Sequence, residues 1–192
     1  MRQLVYYVAS TIDGRIAGPD GQFDFFPFAP GTEISDYINA RYPETLPTGF
    51  RTALGIDAPH GRYDTVLMGR GTYEPALKAG VTSPYAHLRQ YVFSRTLPPA
   101  PEPEVEIVAG DPVAFVRDLK RQDGRDIWLC GGGQLAGQLL PEIDELFVKL
   151  NPIVAGAGIP IVDRDFDPRH FTLVEARPFD TGVVVLRYRA TT

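Results

Sequence analysis

The 192-residue sequence predicts an α/β protein built on a mostly parallel, mixed central sheet with antiparallel strands at its C-terminal end. Short apolar, β-prone segments alternate with amphipathic helical segments, which is the pattern of parallel strands joined by helices. The last two apolar segments follow each other without a helix between them, which favours an antiparallel pair. No linker or repeat interrupts the chain, so we expect residues 1–192 to form one domain.

The strands are predicted from short runs of apolar residues. The first, over residues 4–9, is continuously apolar, as expected of a strand that is covered on both faces. The others cover residues 63–68, 90–94, 105–108, 127–130, 145–150, 171–177 and 182–189. Four prolines between residues 98 and 103 force an extended surface loop between two of these strands.

The helices are predicted from caps and from apolar spacing. Thr32 is a typical N-cap, and Ile34, Tyr37 and Ile38 repeat at helical spacing, which predicts a helix over residues 32–42. Asp111 caps a helix that ends at residue 120 or 121. Three more helical segments are predicted: a short helix over residues 48–54, a turn and helix over 69–77, and a helix that ends at residue 140.

Composition and charge exclude several classes of protein. A net charge of −5 argues against a general nucleic-acid binder. No apolar run approaches the roughly 20 residues needed to span a bilayer, and the N-terminus has no signal-peptide pattern. The single cysteine, Cys130, cannot form an internal disulfide, so we expect a cytoplasmic protein in which Cys130 is a small core residue.

Three consecutive glycines, Gly131, Gly132 and Gly133, join an apolar strand to an amphipathic helix. Without Cβ atoms, a ligand or another backbone segment can approach this turn closely. Backbone N–H groups and the positive end of the helix then converge on one point, which suits a phosphate group. The alternative is a turn that needs the glycines only for conformational freedom.

Two other predicted strands end in residues with similar chemistry. Gly69, Arg70 and Thr72 follow one strand, and Ser94 and Arg95 follow another. Guanidinium and hydroxyl groups both bind phosphate oxygens. Because ligands collect at the carboxyl ends of strands in open α/β sheets, the three ends together predict one long phosphate-rich ligand, such as a dinucleotide.

Residues 66–74, 93–97 and 127–141 resemble the three cofactor-binding segments of dihydrofolate reductases, in the same order. Residues 9–17 are similar to the start of the reductase domain of the bacterial riboflavin-biosynthesis deaminase–reductase. The whole chain resembles the small stand-alone proteins of that superfamily. This resemblance implies a dihydrofolate reductase-like three-layer fold, a homodimer, and hydride transfer from NADPH to a C=N or C=O group of a small pterin- or pyrimidine-like substrate.

The resemblance also implies roles for individual residues. Gly69, Arg70 and Thr72 hold the pyrophosphate and the adenosine side of the cofactor. Ser94 and Arg95 take the 2′-phosphate, which favours NADPH over NADH. The remaining cofactor contacts are Ala9 and Ile16 at the nicotinamide, Gly131, Gly132 and Gly133 at the pyrophosphate with one cis Gly–Gly peptide, and then Gln134 and Leu135.

A proton source is the least certain part of the site. Asp13 is the first candidate, because it follows the first strand, but an Asp-Gly turn whose carboxylate only bonds backbone is an equal alternative. Asp24 and Asp36 are weaker candidates. The three histidines, His60, His87 and His170, lack the spacing of metal ligands, so no metal site is predicted.

Two competing functions remain at this point. Four aromatic side chains either line a planar ligand or fold back onto the core as loop residues: Phe23, Phe25, Phe26 and Phe28. A non-catalytic NADP(H)-binding protein would instead fill the substrate space with them. A true folate reductase would need a carboxylate on the first helix, where Glu33 and Asp36 stand without a matching frame. A Rossmann-type dinucleotide fold is disfavoured, because no acidic residue follows about 20 residues after the glycines.

Overall fold

The computed structural model describes residues 1–27, 30–57 and 61–191 of the chain. Two residues named above, Phe28 and His60, lie outside this described part. The strands are β1 Leu4–Ser10, β2 Arg15–Ala17, β3 Tyr63–Gly69, β4 Arg89–Phe93, β5 Val105–Val108, β6 Asp126–Gly131, β7 Glu145–Leu150, β8 Ile159–Pro160, β9 Phe171–Pro178 and β10 Val184–Ala190. The α-helices are α1 Glu33–Arg41, α2 Thr48–Ala53, α3 Arg70–Lys78, α4 Pro112–Arg121 and α5 Gly133–Leu139.

An eight-stranded sheet organises the molecule, with the strand order β5-β4-β3-β6-β1-β7-β10-β9. The six strands from β5 to β7 run parallel to one another, and β10 is antiparallel to both β7 and β9. The predicted fold class, a mostly parallel mixed sheet with antiparallel C-terminal strands, is therefore confirmed. The sequence analysis missed the small antiparallel pair of β2 and β8, whose strands are three and two residues long.

Alternate residues of the central strands pack against helices on the two faces of the sheet, because successive side chains of a strand point in opposite directions. On one face, Tyr7 of β1 packs in a cluster with residues of α1 and α3. On the other face, Tyr6 of the same strand packs with residues of α4 and α5. Helix, sheet and helix thus form three layers. In the part of the chain described here, no helix has both the length and the apolar character needed to cross a membrane.

Candidate functional site

A cleft of about 2070 Å³ lies at the carboxyl ends of the parallel strands. Its walls come from the ends of β1, β3, β4 and β6, the starts of α3 and α5, and one side of α1. Ligand pockets typically measure roughly 300–1,000 Å³. The cleft therefore has room for a long ligand and a second small molecule beside it.

The glycine turn brings two strand ends into contact at the centre of the cleft. The Gly131–Gly132 peptide is cis, as the resemblance implied, and Gly131 has a φ of 143°, which favours glycine. A Cβ on Gly69, at the end of β3, would lie 3.4 Å from the backbone nitrogen of Gly132. A Cβ on Gly131 would lie 3.3 Å from Oγ1 of Thr72. The backbones of the two turns thus meet, with the side chains of Thr72, Leu135 and Ile16 beside them.

The helices that follow these turns begin without side-chain caps. Gly69 is the N-cap of α3 and Gly132 is the N-cap of α5, and neither can offer a side chain to the first N–H groups. Such groups need an external acceptor, and they carry partial positive charge. Gln134 is exposed and Leu135 is buried, and both contribute to the cleft wall.

Two arginines lie at the end of the cleft formed by β3 and β4. Arg70 donates from Nε to Glu74 at 2.6 Å and from Nη1 to Thr96 Oγ1 at 2.8 Å, which ties α3 to the turn after β4. Ser94 Oγ accepts from the backbone nitrogens of Thr96, at 3.2 Å, and Leu97, at 3.1 Å. Ser94 therefore shapes the turn while its own O–H group remains able to donate.

Arg95 differs from Arg70 in having no partner. It is exposed, it lines the cleft, and it makes no hydrogen bond or ion pair with any residue in the described ranges. An unpaired guanidinium is a suitable partner for a phosphate group, which it can bind through two parallel N–H donors.

At the other end, the floor of the cleft is the face of the sheet around β1. Ala9 and Ile16 both line it, together with Tyr7, Cys130 and Lys149. Burial raises the pKa of the Cys130 thiol to about 11, so this cysteine is protonated at neutral pH. It packs beside the core, in agreement with the expectation of a small core residue.

Residues 2–185 match the family model of the RibD C-terminal domain. The chain belongs to the RibD C-terminal domain family. It is 30% identical to the uncharacterized protein YwjB of Bacillus subtilis (strain 168), over 98% of this chain and 99% of YwjB.

Two solved structures show the same fold. A protein from Shewanella sp. PV-4 assigned to riboflavin biosynthesis superposes with a TM-score of 0.72 at 24% identity, covering 100% of both chains. Dihydrofolate reductase from Enterococcus faecalis, complexed with NADP(H), gives a TM-score of 0.66 at 13% identity, over 99% of this chain and 97% of the reductase. The RibD-type chain thus has a dihydrofolate reductase-like fold.

All twelve residues proposed from sequence to bind the cofactor line the cleft of this RibD-family chain: Ala9, Ile16, Gly69, Arg70, Thr72, Ser94, Arg95, Gly131, Gly132, Gly133, Gln134 and Leu135. Parallel strands explain the convergence, because their carboxyl ends meet at one edge of the sheet. In the described residues, no group of three or more His, Cys, Asp or Glu side chains is arranged to hold a metal ion.

Asp13 lies outside the cleft, and its carboxylate is fully engaged. It accepts hydrogen bonds from the backbone nitrogen of Ala155 at 3.0 Å, from the Thr11 hydroxyl at 2.7 Å, and from the backbone nitrogen of Gly156 at 2.7 Å. These bonds, with the Ala155 amide contributing most, lower the pKa of Asp13 to about 2. An ionised carboxylate with its oxygens occupied is a poor proton donor, so the geometry favours the structural alternative for Asp13.

We expect Asp13→Ala to release the loop around Ala155 and Gly156 without unfolding the chain. Hydrogen exchange at these two amides should accelerate by about tenfold, the factor typical of a lost hydrogen bond to a charged group. The Gln122 amide, which bonds Leu119 at the end of α4, is the internal control. Unchanged exchange at Ala155 and Gly156 would contradict the positioning role of Asp13.

The segment over residues 18–27 forms the side of the cleft beside the first strand. Asp24 is exposed and lines the cleft, as do Phe23 and Phe26. The Phe25 ring lies 4.5 Å from that of Phe26. These aromatic side chains border the cleft. Asp24 is thus the sequence-predicted acidic candidate that reaches the cleft.

Helix α1 presents uncharged residues to the cleft. Ile34, Ser35, Ile38 and Asn39 line it, whereas Glu33 and Asp36 do not. Glu33 instead accepts a hydrogen bond from Arg177 at 3.1 Å.

Sequence reasoning missed Tyr7 and Lys149, which form part of the cleft floor. Lys149 is the register partner of Ala9 across β1 and β7, and its Nζ lies 4.7 Å from the centre of the Tyr7 ring. A lysine within an otherwise apolar strand segment, residues 146–150, was the available signal.

Proposed function

We propose that this chain is an NADPH-dependent reductase that transfers a hydride to a C=N or C=O carbon of a small molecule. The observation that carries the proposal is the meeting of three phosphate-suited strand ends in one cleft that also has space for a second molecule. The family is reductase-like, and the reductase of E. faecalis with the same fold was solved with NADP(H) bound. Bound NADPH would supply the hydride.

The residues present fit a dinucleotide phosphate. The glycine turns leave bare backbone where a Cβ on Gly69 or Gly131 would crowd the neighbouring turn, and the uncapped start of α3 lies beside them. Arg95, without a partner in the described chain, suits the 2′-phosphate of NADPH, and Arg70 stands next to it on α3. The fold would hold the pyrophosphate at Gly131–Gly133 and the nicotinamide near Ala9 and Ile16.

The substrate half of the cleft favours a reductase over a cofactor sensor. Among the described aromatic residues of this segment, Phe23 and Phe26 border this space without filling it, which supports the entry of a second molecule. The substrate half also disfavours folate as the substrate, because α1 offers no carboxylate to the cleft. We therefore propose a small pyrimidine-like or related substrate. From the family resemblance we further propose a single domain over residues 1–192 that acts as a cytoplasmic homodimer.

Cofactor titrations test the first half of the proposal. We expect the wild-type chain to bind NADPH at least tenfold more tightly than NADH, because a charge-assisted hydrogen bond to the 2′-phosphate contributes about 1.5–3 kcal/mol. Arg95→Gln should remove most of this preference by weakening NADPH and leaving NADH unchanged. Titration of the fluorescence of the reduced nicotinamide measures both affinities.

Arg121→Gln is the matched control, because Arg121 is an exposed α4 residue that pairs with Asp118 away from the cleft. It removes the same charge and should bind both cofactors as the wild type does. If neither cofactor binds to the wild type, the proposed function is wrong. If both bind equally, the assignment of the 2′-phosphate to Arg95 is wrong. NADPH oxidation with pyrimidine and pterin carbonyl or imine compounds then separates an enzyme from a sensor.

A further inference from the structure

The floor of the substrate half carries a positive charge that the cofactor phosphates do not use. Lys149 lies on β7 beside Ala9, near the expected nicotinamide position and on the strand side away from β3 and β4. Arg70 and Arg95, which suit the phosphates, stand at the ends of those two other strands. The cleft thus has cationic groups at both ends.

Lys149 is half-buried and has no carboxylate partner. Throughout residues 1–27, 30–57 and 61–191, no acidic oxygen lies within 4.0 Å of its Nζ. By contrast, Lys120 on the opposite face contacts Asp144 at 2.6 Å. The neighbours of Lys149 include the Tyr7 ring and its register partners, Ala9 on β1 and Val185 on β10. An ammonium group that lines a cleft without a counter-charge is a suitable partner for an anionic ligand, because hydrogen bonds between charged groups are the stronger ones.

Tyr7 forms the surface beneath Lys149. It is 3% exposed, and its hydroxyl oxygen is buried without a hydrogen-bond partner in the described structure. The face of its ring attracts the ammonium group of Lys149 but brings no negative charge. An ammonium group can only donate hydrogen bonds, so Lys149 calls for a ligand that accepts them.

Part of the surface of this half is apolar. It comes from Ile34 and Ile38 of α1, Leu46 and Val183, beside the polar Ser35 and Asn39 of α1. Apolar surface beside a cation matches a ligand with a compact apolar or ring-shaped body and one negative oxygen.

We propose that Lys149 binds a negatively charged oxygen of the molecule that is reduced, so that the substrate is a small ring-sized anion with a carboxylate or an ionised lactam oxygen. This inference rests on the proposed function, which places the cofactor in the other part of the cleft. Lys149 orients the substrate through its charge.

Benzoate and benzamide test the proposal because they share size and shape and differ in charge. We expect the wild-type chain to bind benzoate about tenfold or more tightly than benzamide, the factor of one charge-assisted hydrogen bond. Lys149→Met should bring the two affinities together, and Lys149→Arg should keep most of the difference. Ligand-observed NMR titration measures affinities in the millimolar range.

Arg95→Gln is the matched control for an anion that binds at the phosphate end instead. It removes one positive charge from the same cleft and should leave the preference for benzoate unchanged. A preference that depends on Arg95 and not on Lys149 would overturn the proposal. So would equal binding of the two probes to the wild type, a result that needs no variant and stands even if Lys149→Met fails to fold.

A loop carboxylate is the other candidate partner of Lys149. Asp24, in the segment over residues 18–27, lines the cleft. If benzoate is preferred over benzamide only in the Asp24→Asn variant, Lys149 pairs with Asp24 in the wild type. That result would also overturn the proposal.

NADPH titrations of the same variants separate the two proposals. If both hold, Lys149→Met binds NADPH like the wild type while losing the preference for benzoate. If no variant binds NADPH but the benzoate preference depends on Lys149, the proposed function fails and the anion site stands. If NADPH binds and the probes bind equally, the anion site alone fails.

Discussion

We expect Glu145→Gln to lower the free energy of unfolding by about 3–5 kcal/mol, the cost of breaking a buried ion pair from one side. Glu145, at the start of β7, is 1% exposed. Its two carboxylate oxygens accept hydrogen bonds from Arg62, at 2.7 and 3.1 Å, and from Arg187, at 3.1 and 3.3 Å. A neutral glutamine would leave two half-buried guanidinium groups without the carboxylate between them, and each arginine would keep one more exposed partner, Asp126 for Arg62 and Glu175 for Arg187. Equilibrium unfolding in urea measures the loss.

Glu175→Gln is the matched control for this prediction. Glu175 also contacts Arg187, at 3.1 Å, but its side chain is 28% exposed and it bonds one arginine only. More exposed ion pairs of this kind contribute up to about 1 kcal/mol. Equal losses in the two variants would contradict the central role of Glu145.

The stabilisation by Glu145 also depends on pH with a defined sign. Burial by itself would raise the pKa of Glu145, but the hydrogen bonds and charges of Arg62 and Arg187 outweigh burial and lower it below the ordinary value of 4.5. A carboxylate whose pKa is lower in the folded state contributes stability above its unfolded pKa and loses it as the pH falls through the folded pKa. The difference between wild type and Glu145→Gln should therefore shrink as the pH drops below 4.5.

The convergence of the proposed cofactor residues on one cleft was predictable from sequence because each of them lies at a strand end. Arg70, Ser94, Arg95 and the glycine triplet each directly follow a strand, and a parallel sheet brings those ends to one edge. The other half of the cleft, which we propose holds the substrate, was not predictable in this way. Lys149 and Tyr7 meet only because β7 pairs with β1, and no local pattern shows which strands become neighbours.

Long-range contacts account for the other residues that sequence reasoning could not place. The choice between a catalytic and a structural Asp13 depended on amides 142 and 143 positions away along the chain. Glu145 lies 83 residues from Arg62 and 42 from Arg187, so its role depends on the order of strands across the sheet. Local sequence patterns predict the helices, the strands and the strand ends. Contacts between residues that are distant in the chain depend on the order of the strands in the sheet.

Gly133→Ala should affect both stability and cofactor binding. A Cβ on Gly133 would lie 2.2 Å from the carbonyl oxygen of Pro160, a backbone atom of β8 that cannot rotate away. Either α5 or β8 must move, and overpacking of this kind costs about 1–3 kcal/mol. Because Gly133 opens α5, the same shift would displace the backbone N–H groups proposed to bind the pyrophosphate. We expect NADPH affinity to fall about tenfold, by loss of a hydrogen bond to a charged group.

Gly49→Ala is the matched control, because Gly49 is also helical, its added Cβ would meet nothing within 4 Å, and it does not line the cleft. Alanine is the better helix former, so this variant should be as stable as wild type or slightly more so. Its NADPH affinity should be unchanged. Urea unfolding and NADPH titration of both variants then separate the two interpretations of the glycine triplet, which are a phosphate-binding turn and a turn that needs the glycines only for its conformation. If Gly133→Ala loses stability but binds NADPH like the wild type, the glycine serves only to let α5 pack against β8.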